Sequence, residues 1–222
     1  MWKWIETQSR RLSEAWDRPD GGSASRISEA YRTCLYRIHE KTSKEGKKVF
    51  SISSPRRGDG RTSFAILLGL TAASLTQQKV ALIDADFLRP CLHTALDLDI
   101  APGLSEGLAT GRAEASLSLQ ASPFPGLDVM TAGQGLFKRQ FLLEREEAKG
   151  LLRHLRASYG MILVDTPAVL DAGGLVTLAG EVEGTIILVR RRANRIKELE
   201  QVKSLAEESS LGIIGAVHYQ AH

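Results

Sequence analysis

Residues 53–63 are Ser-Ser-Pro-Arg-Arg-Gly-Asp-Gly-Arg-Thr-Ser, and they lie between a short apolar run and a longer one. Gly58 and Gly60 are small enough to let backbone N–H groups wrap around an anion, and a following helix would point its N-terminus at the same place. Arg61 supplies a cation for phosphate groups, and Thr62 supplies a hydroxyl for Mg²⁺. These residues predict a phosphate-binding loop between a strand and a helix.

The loop departs twice from the usual pattern of phosphate loops, which is Gly-x₄-Gly-Lys-Ser/Thr. Pro55 stands at the position of the first glycine, and Arg61 stands at the position of the lysine. A Gly-Asp-Gly turn before a helix is also common as plain structure. Taken alone, the loop therefore leaves nucleotide binding and a structural turn both open.

Three aspartates follow predicted strands further along the chain. Asp84 and Asp86 are two residues apart, so an extended chain directs them to the same side. Asp165 ends another apolar run. Ligands of open α/β sheets bind outside the carboxyl ends of the strands, and Mg²⁺ prefers oxygen ligands. For each aspartate alone a helix cap or a turn residue is the favoured interpretation, but all three at strand ends, in this order, favour a metal site.

Short β-branched runs alternate with longer helical stretches along the whole chain. This alternation predicts an α/β domain with a mainly parallel sheet and helices on both faces. The predicted strands are 48–53, 79–85, 127–131, 160–165, 184–190 and 211–218. The predicted helices are 27–39, 62–77, 104–110, 138–158, 171–180 and 194–209. Residues 1–17 predict an amphipathic helical arm and 18–25 a linker, so we place the domains at 1–23 and 24–222.

Composition excludes several classes of protein. The 222 residues carry 29 Lys+Arg and 26 Asp+Glu, a net charge of +3 that is too small to indicate nucleic-acid binding. Cys34 and Cys91 are too far apart in the sequence to indicate a disulfide scaffold or a zinc site. The best apolar run, 64–75, is shorter than the roughly 20 residues of a membrane-spanning helix, and the charged N-terminus does not resemble a signal peptide. We expect a cytoplasmic protein.

Three motifs in this order resemble the bacterial tyrosine kinases (BY-kinases), the P-loop kinases of capsule and exopolysaccharide assembly that are related to MinD/ParA-type ATPases. The motifs are Gly58-Asp-Gly-Arg-Thr-Ser63, Leu82-Ile-Asp-Ala-Asp-Phe-Leu-Arg-Pro90 and Ile162-Leu-Val-Asp-Thr-Pro167. Similarity extends over roughly residues 24–219. The resemblance implies a P-loop fold, ATP or ADP as the bound nucleotide, Mg²⁺ as the metal, and transfer of the γ-phosphoryl group to protein tyrosine.

The resemblance also implies a role for each matching residue. The Walker A loop, which holds the phosphates, would consist of Gly58, Asp59, Gly60, Arg61, Thr62 and Ser63. Asp84 and Asp86 would activate the tyrosine hydroxyl and, with Arg61, would be catalytic. The Mg²⁺ ligands would be Thr62, Asp84, Asp86 and the Walker B carboxylate Asp165.

Three departures from the family concern activity and assembly. Arg61 replaces the family's lysine, which keeps the charge but changes the shape and hydration of the cation. In the family's ring-forming helix pattern, Glu-x-x-Arg-x-x-Arg, Glu29 and Arg32 match but Leu35 replaces the second arginine. Tyr219 replaces an asparagine that lies at the nucleotide base in MinD-type relatives. We expect ATP binding with either a weakened kinase activity or none.

The resemblance implies partners as well. One is a membrane polysaccharide co-polymerase, whose cytoplasmic tail would recruit the chain to the inner face of the membrane. The other is further copies of the chain. No nucleic acid is expected as a partner. The family's tyrosine-rich tail is not found before His222, so we expect no autophosphorylation of such a tail.

Two other functions stay open. One is a scaffold without enzymatic activity that docks on a co-polymerase. The other is a MinD/ParA-type ATPase that positions cargo on DNA or membrane. The basic run 190–197 would serve the second function, or it is simply a solvated helix start. The arm with Trp2, Trp4 and Trp16 would dock a partner or pack on its own domain. Arg56 matches a lysine that partition ATPases extend across a dimer.

Overall fold

The computed structural model describes residues 23–110, 118–134, 146–171, 182–209 and 211–219. The predicted arm over 1–17 lies outside these residues, as do 138–145 and 172–180 of two predicted helices. The domain division between residues 23 and 24 stays a prediction.

Within the described residues, seven strands form one sheet in the order β3-β4-β2-β5-β1-β6-β7. Their bounds are β1 Val49–Ser53, β2 Val80–Asp84, β3 Leu119–Ala121, β4 Leu127–Met130, β5 Met161–Asp165, β6 Gly184–Arg190 and β7 Ile213–Tyr219. Neighbouring strands are parallel, except that β3 runs antiparallel to β4. The mainly parallel α/β fold is confirmed. β3 was not among the predicted strands, because three residues at a sheet edge are too few to show a strand period.

Six α-helices lie in the described part of the chain. Their bounds are α1 Ser23–Thr42, α2 Arg61–Thr76, α3 Leu92–Leu96, α4 Leu104–Thr110, α5 Glu146–Ser158 and α6 Ile196–Glu208, and a 3₁₀ turn covers Ser43–Glu45. The end of the predicted linker, 23–25, was wrongly predicted, since α1 already includes it. Ser-Ala-Ser is compatible with a first helical turn, unlike the preceding Pro and Gly residues. None of the helices in these ranges is long and apolar enough to cross a membrane.

Strand side chains alternate between two apolar layers, one on each face of the sheet. Phe50 and Ile52 of β1 pack in the layer that contains α1 and α2, and Val49 of β1 packs in the opposite layer with α4 and α5. β5 divides its side chains in the same way. Burial on both faces explains why the central strands are almost wholly apolar, and it confirms helices on both sides.

The strand order brings three loops to one edge of the sheet. β5 lies between β1 and β2, and the register pairs Asp165 with both Ile52 of β1 and Asp84 of β2. Because parallel strands end at the same edge, the loops after these three strands converge there. The loop after β1 is the predicted phosphate loop, and it leads directly into α2.

Candidate functional site

The loop from Ser54 to Gly60 contains two glycines in the left-handed conformation. Gly58 has φ +83° and Gly60 has φ +77°, in the left-handed region that favours glycine. Gly60 is the N-cap of α2, and no side chain caps this helix. The first N–H groups of a helix have no partner within the helix, so those of α2 are available to an anion.

The Arg61 side chain is buried among the aspartates. It is 9% exposed, and its Nη2 donates to Asp86 Oδ2 at 3.2 Å. Its Nη1 is buried without a hydrogen-bond partner. A buried guanidinium N–H without an acceptor is costly, so the site contains one cationic donor that an added oxygen would satisfy.

Thr62 and Asp165 form the second contact of the site. Thr62 Oγ1 donates to Asp165 Oδ2 at 2.5 Å and lies 3.2 Å from Cys91 Sγ. Asp165 is 1% exposed, and its Oδ1 is buried without a partner. The first turn of α2 and the end of β5 therefore place a hydroxyl next to a carboxylate oxygen that still lacks a donor or a cation.

Asp84 is buried, and its side chain caps the N-terminus of α3. Its Oδ2 accepts from the backbone N–H groups of Cys91 at 2.9 Å and Leu92 at 3.0 Å, which are the groups at the start of α3. Its Oδ1 accepts from Asp86 N at 3.1 Å. Asp84 is therefore a helix cap, one of the two interpretations that its sequence position allows, and its role at a metal site stays a prediction. The cap also explains α3, a five-residue helix that the sequence analysis missed.

Burial raises the pKa of all three carboxyl groups. For Asp165 the neighbouring Asp84 charge raises the pKa further, while Arg61 opposes the increase. For Asp86 the Arg61 guanidinium likewise opposes the effect of burial. For Asp84 the backbone N–H groups that it accepts from oppose it. The Arg61 guanidinium thus opposes the effect of burial at two of the three carboxyl groups, Asp86 and Asp165, and a divalent cation would add positive charge beside the cluster.

The donor set fits Mg²⁺ better than an ion that needs several protein ligands. Among the described residues, no group of three or more His, Cys, Asp or Glu side chains forms a ready-made metal site. Mg²⁺ usually binds through one or two carboxylates together with substrate phosphates and water. The Thr62 hydroxyl and the unpartnered Asp165 Oδ1 meet that requirement.

The predicted loop residues differ in where they point. The Asp59 carboxylate is 4% exposed, and its Oδ2 accepts from Arg56 N at 2.9 Å and from Asn194 Nδ2 at 3.0 Å. Ser63 is half-buried in the first turn of α2. Arg56 pairs with Glu198 of α6 in the same chain. Asp59 thus contributes its backbone to the loop, while its side chain contacts a distant segment.

Sequence reasoning missed two residues that contact the loop. Asn194 is 135 residues away from Asp59, and Tyr219, whose Oη donates to Asp59 O at 2.6 Å, is 160 residues away. Tyr219 had appeared only as a departure from a family pattern. A local pattern contains no signal for contacts at such separations.

Comparisons of the sequence with known proteins identify two relatives that cover most of this chain. No protein-family model matches the sequence. The chain is 28% identical over 190 residues to the tyrosine-protein kinase YwqD of Bacillus subtilis, covering 86% of this chain and 79% of that protein. It is 26% identical over 189 residues to the tyrosine-protein kinase ptk of Acinetobacter johnsonii, covering 85% of this chain. It spans only 26% of the length of that second relative.

Solved structures show the same similarity in three dimensions. The kinase domain of the Escherichia coli tyrosine kinase ETK superposes with a TM-score of 0.81 at 27% identity, covering 87% of this chain and 75% of that one. The resemblance to bacterial tyrosine kinases is confirmed. The septum site-determining protein MinD from Pyrococcus horikoshii shares the fold, with a TM-score of 0.60 at 19% identity over 77% of this chain and 69% of that one. The predicted fold class, which this chain shares with MinD, is thereby confirmed.

Proposed function

We propose that this chain binds ATP with Mg²⁺ and transfers the γ-phosphoryl group to the hydroxyl of a protein tyrosine. The observation that carries the proposal is a pair of unsatisfied buried groups beside an uncapped helix N-terminus: Arg61 Nη1, a donor, and Asp165 Oδ1, an acceptor. A phosphate oxygen would satisfy the first group, and a metal ion or its bound water would satisfy the second. Similarity to proteins named as tyrosine kinases supports the reaction class.

Each residue would have a defined task in this reaction. The backbone of Gly58, Asp59 and Gly60 and the first turn of α2, with Ser63, would hold the phosphates. Thr62 and Asp165 would hold Mg²⁺ from the side of the sheet. When bound, the metal would neutralise charge that develops on the phosphates.

Asp86 is better placed than Asp84 to receive the tyrosine proton. Asp84 is fully buried and already accepts three backbone N–H groups, whereas Asp86 remains 8% exposed. The tyrosine oxygen would bond to the γ-phosphorus as the bond to the ADP oxygen breaks, and its proton would pass to Asp86. Because burial raises the pKa of Asp86, this carboxylate is a better proton acceptor than an exposed one. Asp84 would orient Asp86 and help to attract the metal.

The setting that we propose follows from the family. The chain would act in exopolysaccharide or capsule production, at the inner face of the membrane, with the cytoplasmic tail of a polysaccharide co-polymerase and with further copies of itself. No nucleic acid is part of this proposal. Binding to a tail peptide and the oligomeric state in solution are separate measurements that test these two partners.

A second candidate function is a nucleotide-binding scaffold without kinase activity. The observation that favours it is the ion pair between Arg61 and Asp86, because it occupies the carboxylate that would receive the tyrosine proton. Arginine also differs from the family's lysine in shape and hydration. On this proposal the chain binds nucleotide and a co-polymerase but transfers no phosphate.

We expect phosphotyrosine to form when the chain is incubated with Mg-ATP and a Glu-Tyr copolymer, as detected by immunoblotting. Asp84→Asn should lower the signal by about tenfold or more, because the charge beside Asp86 is lost. Asp97→Asn is the matched control, since Asp97 is exposed just after α3 and should leave the signal unchanged. Binding of Mg-ADP without any phosphotyrosine would support the scaffold, and the absence of Mg-ADP binding would contradict both functions.

A further inference from the structure

The predicted phosphate loop is contacted by residues from the C-terminal part of the chain, at the end of β7, in the turn after β6 and in α6. Tyr219, at the end of β7, donates its hydroxyl to Asp59 O at 2.6 Å. Tyr219 Oη would also lie 2.9 Å from a Cβ atom built on Gly60. The phenol ring therefore contacts the loop at the two residues just before α2.

Asn194 connects the loop to the end of β6. Its Nδ2 donates to Asp59 Oδ2 at 3.0 Å, and its Oδ1 accepts from Arg190 N at 2.6 Å. Asp59 Oδ2 also accepts from Arg56 N at 2.9 Å, which closes a turn within the loop itself. The Asp59 carboxylate, which is buried, thus receives one donor from inside the loop and one from the turn after β6.

A third contact joins the loop to α6. The Arg56 guanidinium pairs with Glu198, a residue that is 5% exposed. Glu198 Oε2 accepts from Arg195 N at 2.9 Å and so completes the first turn of α6. Tyr219, Asn194 and Glu198 thus each contact the loop from a different element or turn.

We propose that Asn194 and Tyr219 are positioning residues of the nucleotide site, which act through their contacts with Asp59. They hold the loop in the conformation that presents its backbone N–H groups before a phosphate arrives. A loop already ordered in this way does not have to be ordered by the ligand, so binding is tighter. The inference rests on the nucleotide binding proposed above, and it assigns the Asp59 side chain to loop structure.

Exchanging the side chains of Asp59 and Asn194 tests whether their contact positions the loop. Asn194→Asp retains an oxygen that accepts from Arg190 N but places a carboxylate against that of Asp59. We expect Mg-ADP to bind about tenfold or more weakly, as measured by calorimetry, because like charges repel. Adding Asp59→Asn restores a donor and an acceptor, and we expect the double variant to recover most of the affinity.

Tyr219→Phe tests the other contact by removing a single oxygen atom. We expect Mg-ADP to bind about three- to tenfold more weakly, the effect of one lost hydrogen bond. Tyr36→Phe is the matched control, because Tyr36 is 65% exposed on α1 and its loss should not change binding. Equal affinity of Tyr219→Phe and the wild type would contradict the role of the hydroxyl.

Amide hydrogen exchange in the absence of nucleotide tests the positioning of the loop independently of the proposed nucleotide binding. In the nucleotide-free protein, we expect the amides of residues 54–60 to exchange faster in Asn194→Asp and to return to the wild-type rate in the double variant. Unchanged exchange in a cooperatively folded Asn194→Asp protein would overturn the inference even if Mg-ADP binds. If the wild type does not bind Mg-ADP but the exchange rates change as expected, the proposed function fails and the positioning of the loop stands.

Discussion

Asp165→Asn is expected to lower phosphotyrosine formation by about 100-fold or more, a loss comparable to removal of one group that stabilises a transition state. The substituted amide can still accept from Thr62 through its oxygen, as Asp165 Oδ2 does at 2.5 Å. It cannot supply the second, unpartnered carboxylate oxygen or the negative charge for a cation. Immunoblotting after incubation with Mg-ATP measures the loss. Wild-type transfer by this variant would contradict a metal-binding role of Asp165.

The same substitution should make the fold more stable at neutral and higher pH. Burial and the neighbouring Asp84 charge raise the pKa of Asp165 in the folded protein above the value of about 3.9 in an unfolded chain. The native state therefore binds the proton more tightly. The stability of the wild type falls as the pH rises from the pKa of Asp165 in the unfolded chain to its higher pKa in the folded protein. Asparagine does not titrate, so its advantage is largest above the folded pKa and disappears as the pH falls toward the unfolded value.

The expected gain near pH 8 is about 1.4 kcal/mol or more, since each unit by which burial raises the pKa of Asp165 corresponds to about 1.4 kcal/mol. Urea unfolding near pH 8 and near pH 5 measures it, with Asp99→Asn as a control because Asp99 is exposed. An equal or lower stability of Asp165→Asn near pH 8 would show that the buried carboxylate does not destabilise the fold. Opposite changes in activity and stability would indicate that the site is maintained at a cost in stability.

Gly60→Val is expected to weaken Mg-ADP binding by about 100-fold or more. Gly60 has φ +77°, a conformation that is a genuine outlier for a β-branched residue. This strain forces the backbone to move at the start of α2, and the Cβ atom of the valine would also lie 2.9 Å from Tyr219 Oη. The N–H groups that would bind phosphate move with it, and no other part of the described site replaces them.

Gly46→Val separates backbone strain from the loss of the site. Gly46 has φ +63°, but nothing lies within 4 Å of a Cβ atom placed there, and it follows the 3₁₀ turn away from the loop. We expect this variant to lose about 1–2 kcal/mol of stability, the cost of a left-handed residue, and to bind Mg-ADP normally. Calorimetry and thermal unfolding of both variants make the comparison. Normal binding by Gly60→Val would contradict the assignment of the loop.

The sequence predicted the central strands well because burial on both faces demands apolar residues at every position. Val80–Asp84 and Met161–Asp165 were visible as apolar runs that end in aspartate. The short β3 and α3 carry no such signal. α3 begins where Asp84, from another element, accepts two of its first N–H groups, so it depends on a tertiary contact rather than on its own five residues.

The sequence by itself determined the mainly parallel sheet, the position of the glycine-containing loop before α2 and the aspartates at the strand ends near it, because period, glycine spacing and strand ends are local properties. Only the tertiary structure decided which of these groups are paired. It places Arg61 on Asp86 and leaves Asp165 Oδ1 unpaired, and it turns the Asp59 side chain toward Asn194. The reason is that buried polar groups bond to whichever donors and acceptors the fold brings near them, and here those partners come from distant parts of the chain.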